Sequence, residues 1–117
     1  MNIGLDWDGT VTSDPELFFN FAMMAKLAGH KVYIVTMRYP SECKDIGPEW
    51  KNVVEGVFPT GNSKTQTREA KANHMLSKGI RVHVWIDDNP EAIYHSGRQI
   101  WGDFCSPEGT VIVAQHD

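Results

Sequence analysis

Two aspartates one residue apart, Asp6 and Asp8, close an apolar start and meet a glycine in the run Ile3-Gly4-Leu5-Asp6-Trp7-Asp8-Gly9-Thr10-Val11-Thr12. Ile3 and Leu5 alternate as a short strand aimed into a core. Alternation carries positions i and i+2 to one side while the chain stays extended. Two carboxylates held that close repel each other unless a cation or a shared proton separates them. Such a pair at the end of a buried strand is suited to a divalent metal, and a hard ion such as magnesium takes oxygen ligands. Three other stretches carry groups of matching chemistry: Thr36-Met37-Arg38, the lysines Lys64 and Lys71, and Asp87-Asp88-Asn89-Pro90.

The elements that must position these groups read as alternating strands and helices. Ser13-Asp14-Pro15-Glu16 is a helix start, with a polar cap, an early proline and an acid in the first turn. Leu17, Phe18, Phe21, Ala22, Ala25 and Ala28 then recur at helical spacing. Phe18, Phe21, Met23 and Met24 read as core residues of that helix, and Gly29 stops it. Residues 31–35 form a nearly continuous apolar run, expected of a strand covered on both faces, and they end at Thr36. A loop follows over 39–46, and Pro48-Glu49-Trp50 predicts a helix through Val53 and Val54 to Gly56. Val57-Phe58 predicts a brief strand. A helix is expected from Thr67 through Ala70, His74 and Leu76 to Gly79. Residues 82–86 predict a strand ending at Asp87, and Pro90 opens a helix through Ala92 and Tyr94. A last strand is expected over 110–114, while no clear pattern emerges between Gly97 and Gly109.

This alternation predicts one α/β domain over residues 1–117: a doubly wound, Rossmann-like parallel sheet with helices on both faces. In such sheets ligands sit at the carboxyl ends of the strands, where strand order reverses. Asp6, Asp8, Thr36, Asp87 and Asp88 all fall at such ends and would share one edge. Four carboxylates gathered there need a cation. Lys71, early in the helix that leads into the acidic strand, is preferred for that role, with Lys64 one loop earlier as the alternative.

The order of these groups resembles the motif order of the haloacid dehalogenase superfamily, whose members are mostly magnesium-dependent phosphatases. Asp6-Trp7-Asp8-Gly9-Thr10-Val11 resembles the first motif, and Thr36, Lys71 and Asp87-Asp88 follow in the family's order. The resemblance implies a nucleophilic Asp6 that forms an aspartyl-phosphate, and an Asp8 that moves a proton to the leaving oxygen. It implies a Thr36 that hydrogen-bonds a phosphoryl oxygen and a Lys71 that balances charge. It further implies magnesium held by Asp6, Asp87 and the Asp8 carbonyl, with Asp88 either a second ligand from that strand end or a group that orients the ligands. Thr36, Met37, Arg38 and Lys71 would contact substrate, because Thr-x-Arg resembles phosphatases acting on nucleic-acid ends. The short spans after Val11 and after Thr36 imply a member without a cap domain. Its open site would be covered by a bulky substrate or by a neighbouring copy, with residues 39–50 as the candidate lid or subunit contact. The rival reading is a non-catalytic phosphate- or metal-binding module on the same fold. Dehalogenase chemistry is disfavoured, because that branch generally lacks the second aspartate.

Composition narrows the partners. The chain of 117 residues has a net charge of −4, with 41% hydrophobic and 22% charged residues. An acidic balance argues against a grip on duplex nucleic acid, which needs clustered Lys and Arg. A small phosphorylated substrate or a nucleic-acid end fits better, since a bound cation makes an acidic site attractive to phosphate. No apolar run is long enough to span a membrane, and no signal peptide is evident. Cys43 and Cys105 form no paired motif and read as thiols in a reducing, cytoplasmic setting. His30, His74, His83, His95 and His116 lack metal-ligand spacing and read as structural or exposed.

Overall fold

The computed structural model describes residues 1–95 and, as backbone, 111–114. The expectations for Gly97 to Thr110, for Cys105 and for His116 lie outside the described residues. The described chain contains β1 (Asn2–Leu5), α1 (Pro15–Leu27), β2 (Lys31–Thr36), β3 (Gly56–Pro59), β4 (Gly61–Asn62), β5 (Thr67–Arg68), α2 (Lys71–Ser77), β6 (Val84–Asp87), α3 (Glu91–Tyr94) and β7 (Val111–Ala114). Five strands form one sheet in the order β3-β2-β1-β6-β7. β3, β2, β1 and β6 are parallel, whereas β7 pairs antiparallel with β6, Trp85 opposite Val113. The wholly parallel sheet expected from the sequence is thus corrected at one edge. An antiparallel edge strand on a parallel sheet is a common arrangement, and periodicity alone carries no strand direction.

Alternation along β1 sorts the two layers. Ile3 and Leu5 join Val32, Ile34 and Ile86 on one face, where Ala22 and Ala25 of α1 and the side chains of Trp50, Val53 and Val54 cover them. Tyr33, Val35 and Trp85 face the other side, against Met75 of α2 and Ile93 of α3. Gly4 also faces that side, and a Cβ there would lie 2.6 Å from Trp85 Cε3, so only glycine lets the indole cross the strand. α1 starts as read: Asp14 caps it by accepting from Leu17 N–H at 3.2 Å, and Pro15 occupies the first turn. No described helix is long and apolar enough to cross a membrane.

Three expectations about helices are corrected. Pro48–Asn52 is a single 3₁₀ segment, not an α-helix reaching Gly56. Glu55 N–H already bonds Val32 O at 2.7 Å as the chain enters β3, which leaves no room for a second turn. The helix expected from Thr67 begins instead at Lys71, because Thr67 and Arg68 pair with Asn62 and Gly61 in a hairpin whose strands are two residues each. β-branched Thr67 suits that extended state. Finally, Met23 and Met24 are exposed rather than core. α1 touches the sheet through Ala22 and Ala25 with flanking Phe18, Phe19 and Phe21, and its opposite side is left to solvent.

Candidate active site

The chain runs from β1 outward to β2 and β3, then returns to place β6 on the other flank of β1. The strand order therefore reverses between β1 and β6, where an open α/β sheet offers its carboxyl-edge crevice. Asp6 follows β1 and Asp87 ends β6. Asp6 N–H bonds Ile86 O at 3.0 Å and zips the two exits together.

Lys71 joins them. Its Nζ donates to Asp6 Oδ1 and to Asp87 Oδ2, both at 2.7 Å. All three side chains are buried. Burial works against the Lys71 ammonium, but the charges of Asp6 and Asp87 outweigh it and raise its pKa above the usual lysine value. Burial pushes Asp87 up to about 6, against the pull of Lys71. Lys64, by contrast, is exposed on the turn between β4 and β5, where its N–H bonds Asn62 Oδ1 at 3.0 Å.

Thr10 and Asp88 complete this centre. Thr10 Oγ1 donates to Asp6 Oδ2 at 3.1 Å and accepts from Asp88 N–H at 3.1 Å. Carboxylate oxygens of Asp6, Asp87 and Asp88 lie within 4.8 Å of one another. Burial, a hydrogen bond with Asp6 and the neighbouring charges raise Asp88 to about 7. The Asp88 carboxylate packs under Gly9, where an added Cβ would meet Oδ2 at 2.1 Å, and Gly9 has φ +85°. Glycine is required at this turn on both counts. Asn89 N–H bonds Asp87 Oδ1 at 2.9 Å, and the buried Asn89 Oδ1 has no hydrogen-bond partner among the described residues. Three convergent carboxylates, two held up by mutual repulsion and burial, form an oxygen-only donor set that fits a hard divalent cation.

Asp8 is not part of that group. β1 ends at Leu5 and the chain turns immediately, so the alternation that would align Asp6 with Asp8 is already broken. Asp8 instead faces Arg38, whose Nε and Nη2 donate to Oδ2 at 2.8 Å and Oδ1 at 2.7 Å. Arg38 Nη1 also bonds Glu42 O at 2.7 Å and the Asp45 carboxylate. The bond to Asp8, partly offset by burial, holds the guanidinium above its usual pKa. Thr36 is buried at the end of β2, and its Oγ1 accepts from Arg38 N–H at 3.4 Å, leaving the hydroxyl proton free to donate elsewhere. Met37 is buried beside it, and its carbonyl accepts from Arg68 Nε at 3.0 Å. The Arg68 guanidinium stacks 4.4 Å from the Tyr39 ring centroid. Asp8, Met37, Arg38, Glu42, Asp45 and Arg68 line a cleft of about 500 Å³.

The fold thus brings Asp6, Lys71, Asp87 and Asp88 together, and sets Asp8, Thr36, Met37 and Arg38 along the adjoining rim. Sequence reading overlooked Thr10, Asp45 and Arg68. Thr10 lay within the quoted motif and was legible there as a hydroxyl near two acids. Asp45 and Arg68 stand in loop-like text with no spacing to single them out. Trp7 packs edge-on against Trp50 at 5.4 Å, in the core beneath the site. His83 Nδ1 accepts from Asn2 N–H at 2.9 Å and anchors β1. His74 and His95 pair with Glu69 and Glu91. No family model, no curated protein and no solved structure matches this chain.

Proposed function

We propose that this chain is a magnesium-dependent phosphatase of the haloacid dehalogenase type, with no cap domain, that hydrolyses a phosphate monoester through an aspartyl-phosphate. The observation that carries the reading is the buried Lys71 bridging Asp6 and Asp87 beside Asp88, at the switch point of the sheet. Asp6, Asp87 and Asp88, with the Asp8 carbonyl, would hold the magnesium, which when bound neutralises charge on the phosphoryl group. An Asp6 oxygen attacks phosphorus and the ester P–O bond breaks. Lys71 and the Thr36 hydroxyl stabilise the phosphoryl oxygens. Once released by Arg38, Asp8 takes up a proton from solvent, gives it to the departing oxygen and then takes one from the water that cleaves the intermediate. Arg38 occupies both Asp8 oxygens in the resting protein. Anionic substrate draws it away, because guanidinium binds phosphoryl oxygens in the same forked geometry. The substrate is a nucleotide, a nucleic-acid end or another small phosphorylated metabolite, with its leaving group in the cleft between Arg38 and Arg68. Cys43 is a free, half-buried thiol whose pKa burial raises, which suits a reducing cytoplasm.

The engagement of both Asp8 oxygens favours one rival, a binding module that keeps the pocket without turnover. A panel of nucleoside monophosphates, sugar phosphates, 3′-phosphorylated oligonucleotides and p-nitrophenyl phosphate separates the two. Phosphatase action predicts turnover that EDTA abolishes and magnesium restores. It also predicts a loss on the order of 10³-fold or more in a folded Asp6→Asn variant. Turnover that survives either treatment overturns the assignment, and magnesium binding without hydrolysis of any ester establishes the module.

A further inference from the structure

A second pocket, of about 400 Å³, opens where the β4–β5 hairpin meets α2. Thr60, Asn62, Ser63, Lys64, Glu69 and His74 line it, and none of them belongs to the centre formed by Asp6, Lys71, Asp87 and Asp88. Its walls are nonetheless built onto that edge of the sheet. Thr60 follows β3, and its N–H bonds Thr36 O at 2.8 Å. Gly61 N–H bonds Arg38 O at 3.1 Å. A Cβ at Gly61 would lie 2.6 Å from Tyr39 Cδ1, so the hairpin sits flush on the segment that carries Arg38. His74 stands one turn along α2 from Lys71. Thr60 is thus one strand spacing from Thr36, and His74 one helical turn from Lys71, each a step of about 5 Å.

The chemistry of the lining fits an anion. Thr60 is 4% exposed, and its Oγ1 has no hydrogen-bond partner among the described residues, an orphaned group that a ligand would satisfy. Asn62 Oδ1 accepts from Lys64 N–H at 3.0 Å, which closes the turn and leaves the Asn62 amide NH₂ to donate elsewhere. The Lys64 ammonium has no ion-pair partner among the described residues. Glu69, the acid of the lining, is engaged by His74, with Oε2 3.0 Å from Nδ1. Hydroxyl and amide donors beside an unpaired ammonium suit phosphate oxygens. We propose that this pocket holds a second phosphate of the substrate, one that is not cleaved. The substrate is then a phosphomonoester that carries another phosphate group on a neighbouring position, and a sugar or nucleoside with a single phosphate leaves the pocket unused. The assignment rests on the phosphatase reading only in naming which phosphate is hydrolysed.

Titration calorimetry on the full chain tests it, in EDTA, where the phosphatase reading predicts no turnover. The ligands are adenosine 3′-monophosphate, adenosine 3′,5′-bisphosphate and a 3′-phosphorylated dinucleotide. The second phosphate is expected to tighten binding at least about tenfold. Lys64→Gln cuts that gain to about twofold or less and leaves both the affinity for the monophosphate and the urea midpoint unchanged, because so exposed a side chain contributes little to the fold. Thr60→Val lowers the gain too, with a midpoint no lower than the parent's, since it removes an unsatisfied hydroxyl. A gain confined to the bisphosphate assigns a small metabolite, and a gain that includes the dinucleotide assigns a nucleic-acid end. Equal binding of all three ligands overturns the proposal. So does a gain that survives either substitution, or a Lys64→Gln chain that loses the monophosphate as much as the other two, which would mark a general effect of charge. The same panel is then assayed with magnesium. Esters bound in the expected pattern but not hydrolysed count against the phosphatase reading and leave the second-phosphate pocket standing.

Discussion

Replacing Lys71 by methionine removes the ammonium and keeps the stem's volume. Two buried carboxylates, Asp6 and Asp87, then face one another without their shared donor, each having lost a 2.7 Å ion pair. Breaking a buried pair by deleting one partner typically costs about 3–5 kcal/mol, since the remaining charge is left uncompensated. For a chain of this size that corresponds to a fall in Tm of roughly 10–20 °C. The loss must depend on pH. Asp87 stands at about 6 even with Lys71 pulling it down, so removing Lys71 raises it further. A carboxyl whose folded pKa exceeds its unfolded value binds more protons in the native state, so its stability falls as pH rises from about 4 through the folded value. The Lys71→Met deficit is therefore small near pH 5 and full at pH 8. Urea melts of both proteins at the two pH values measure it. Adding Asp87→Asn to the variant removes one stranded charge and recovers part of the loss at pH 8, a coupling that a double-mutant cycle isolates. A deficit under about 1 kcal/mol at pH 8, or one that does not change with pH, refutes the account of Lys71 as the counter-ion of this edge.

Magnesium binding should strengthen with pH for the same reason. Asp87 at about 6 and Asp88 at about 7 must release protons to ligate. The metal-induced rise in Tm is then slight at pH 5.5 and grows through pH 8, and calorimetry in buffers of differing ionisation heat finds protons released near pH 6.5. A shift that ignores pH excludes these carboxylates as ligands. Gly9→Ala forces a side chain into φ +85° and against Asp88 Oδ2 at 2.1 Å, so it costs about 1–3 kcal/mol and weakens magnesium binding at least tenfold. Gly4→Ala drives a methyl to 2.6 Å from Trp85, in the sheet rather than the site. It costs a similar amount by overpacking but leaves metal affinity within about twofold. Thermal melts with and without magnesium distinguish the two glycines, and equal effects on binding would undo the distinction.

Much of this architecture was legible because it is written in short-range signals. The cap at Asp14, the proline at position 15, and the apolar runs of β1 and β2 act over a few residues each. Strand ends rich in Asp, Thr and Lys become one edge once the alternation implies parallel strands. What was not legible depends on distant partners. Nothing in Thr67-Arg68 announces a mate at Gly61-Asn62, and nothing in residues 110–114 states a direction. α1 is the instructive failure. Its apolar residues run around most of the helix, so periodicity marked a helix without telling the sheet side from the solvent side. The small residues Ala22 and Ala25 face the sheet, because close approach there needs little bulk. The large Met24 and Leu27 are displaced outward.

The two aspartates that first drew attention show how local geometry sorts groups a sequence presents as equivalent. Had β1 continued through Asp8, Asp6 and Asp8 would share one side and one field. Because it ends at Leu5, each aspartate acquires its own cation. Asp6 receives Lys71 and the Thr10 hydroxyl in a buried setting, whereas Asp8 receives the forked Arg38 on a half-exposed rim. Different solvation and different partners are what divide one chemical type into two tasks. A buried carboxylate fixed by a lysine has little freedom to rotate, which on the proposed reading would hold it in place for attack. A rim carboxylate gripped by an arginine is exchangeable, because the arginine has further acceptors in Glu42 O and Asp45 and can trade Asp8 for an incoming anion without losing all its bonds. On the proposed phosphatase reading, Arg38 would couple arrival of substrate to release of the proton-transfer group, and Asp45 would keep the guanidinium anchored while it changes partners.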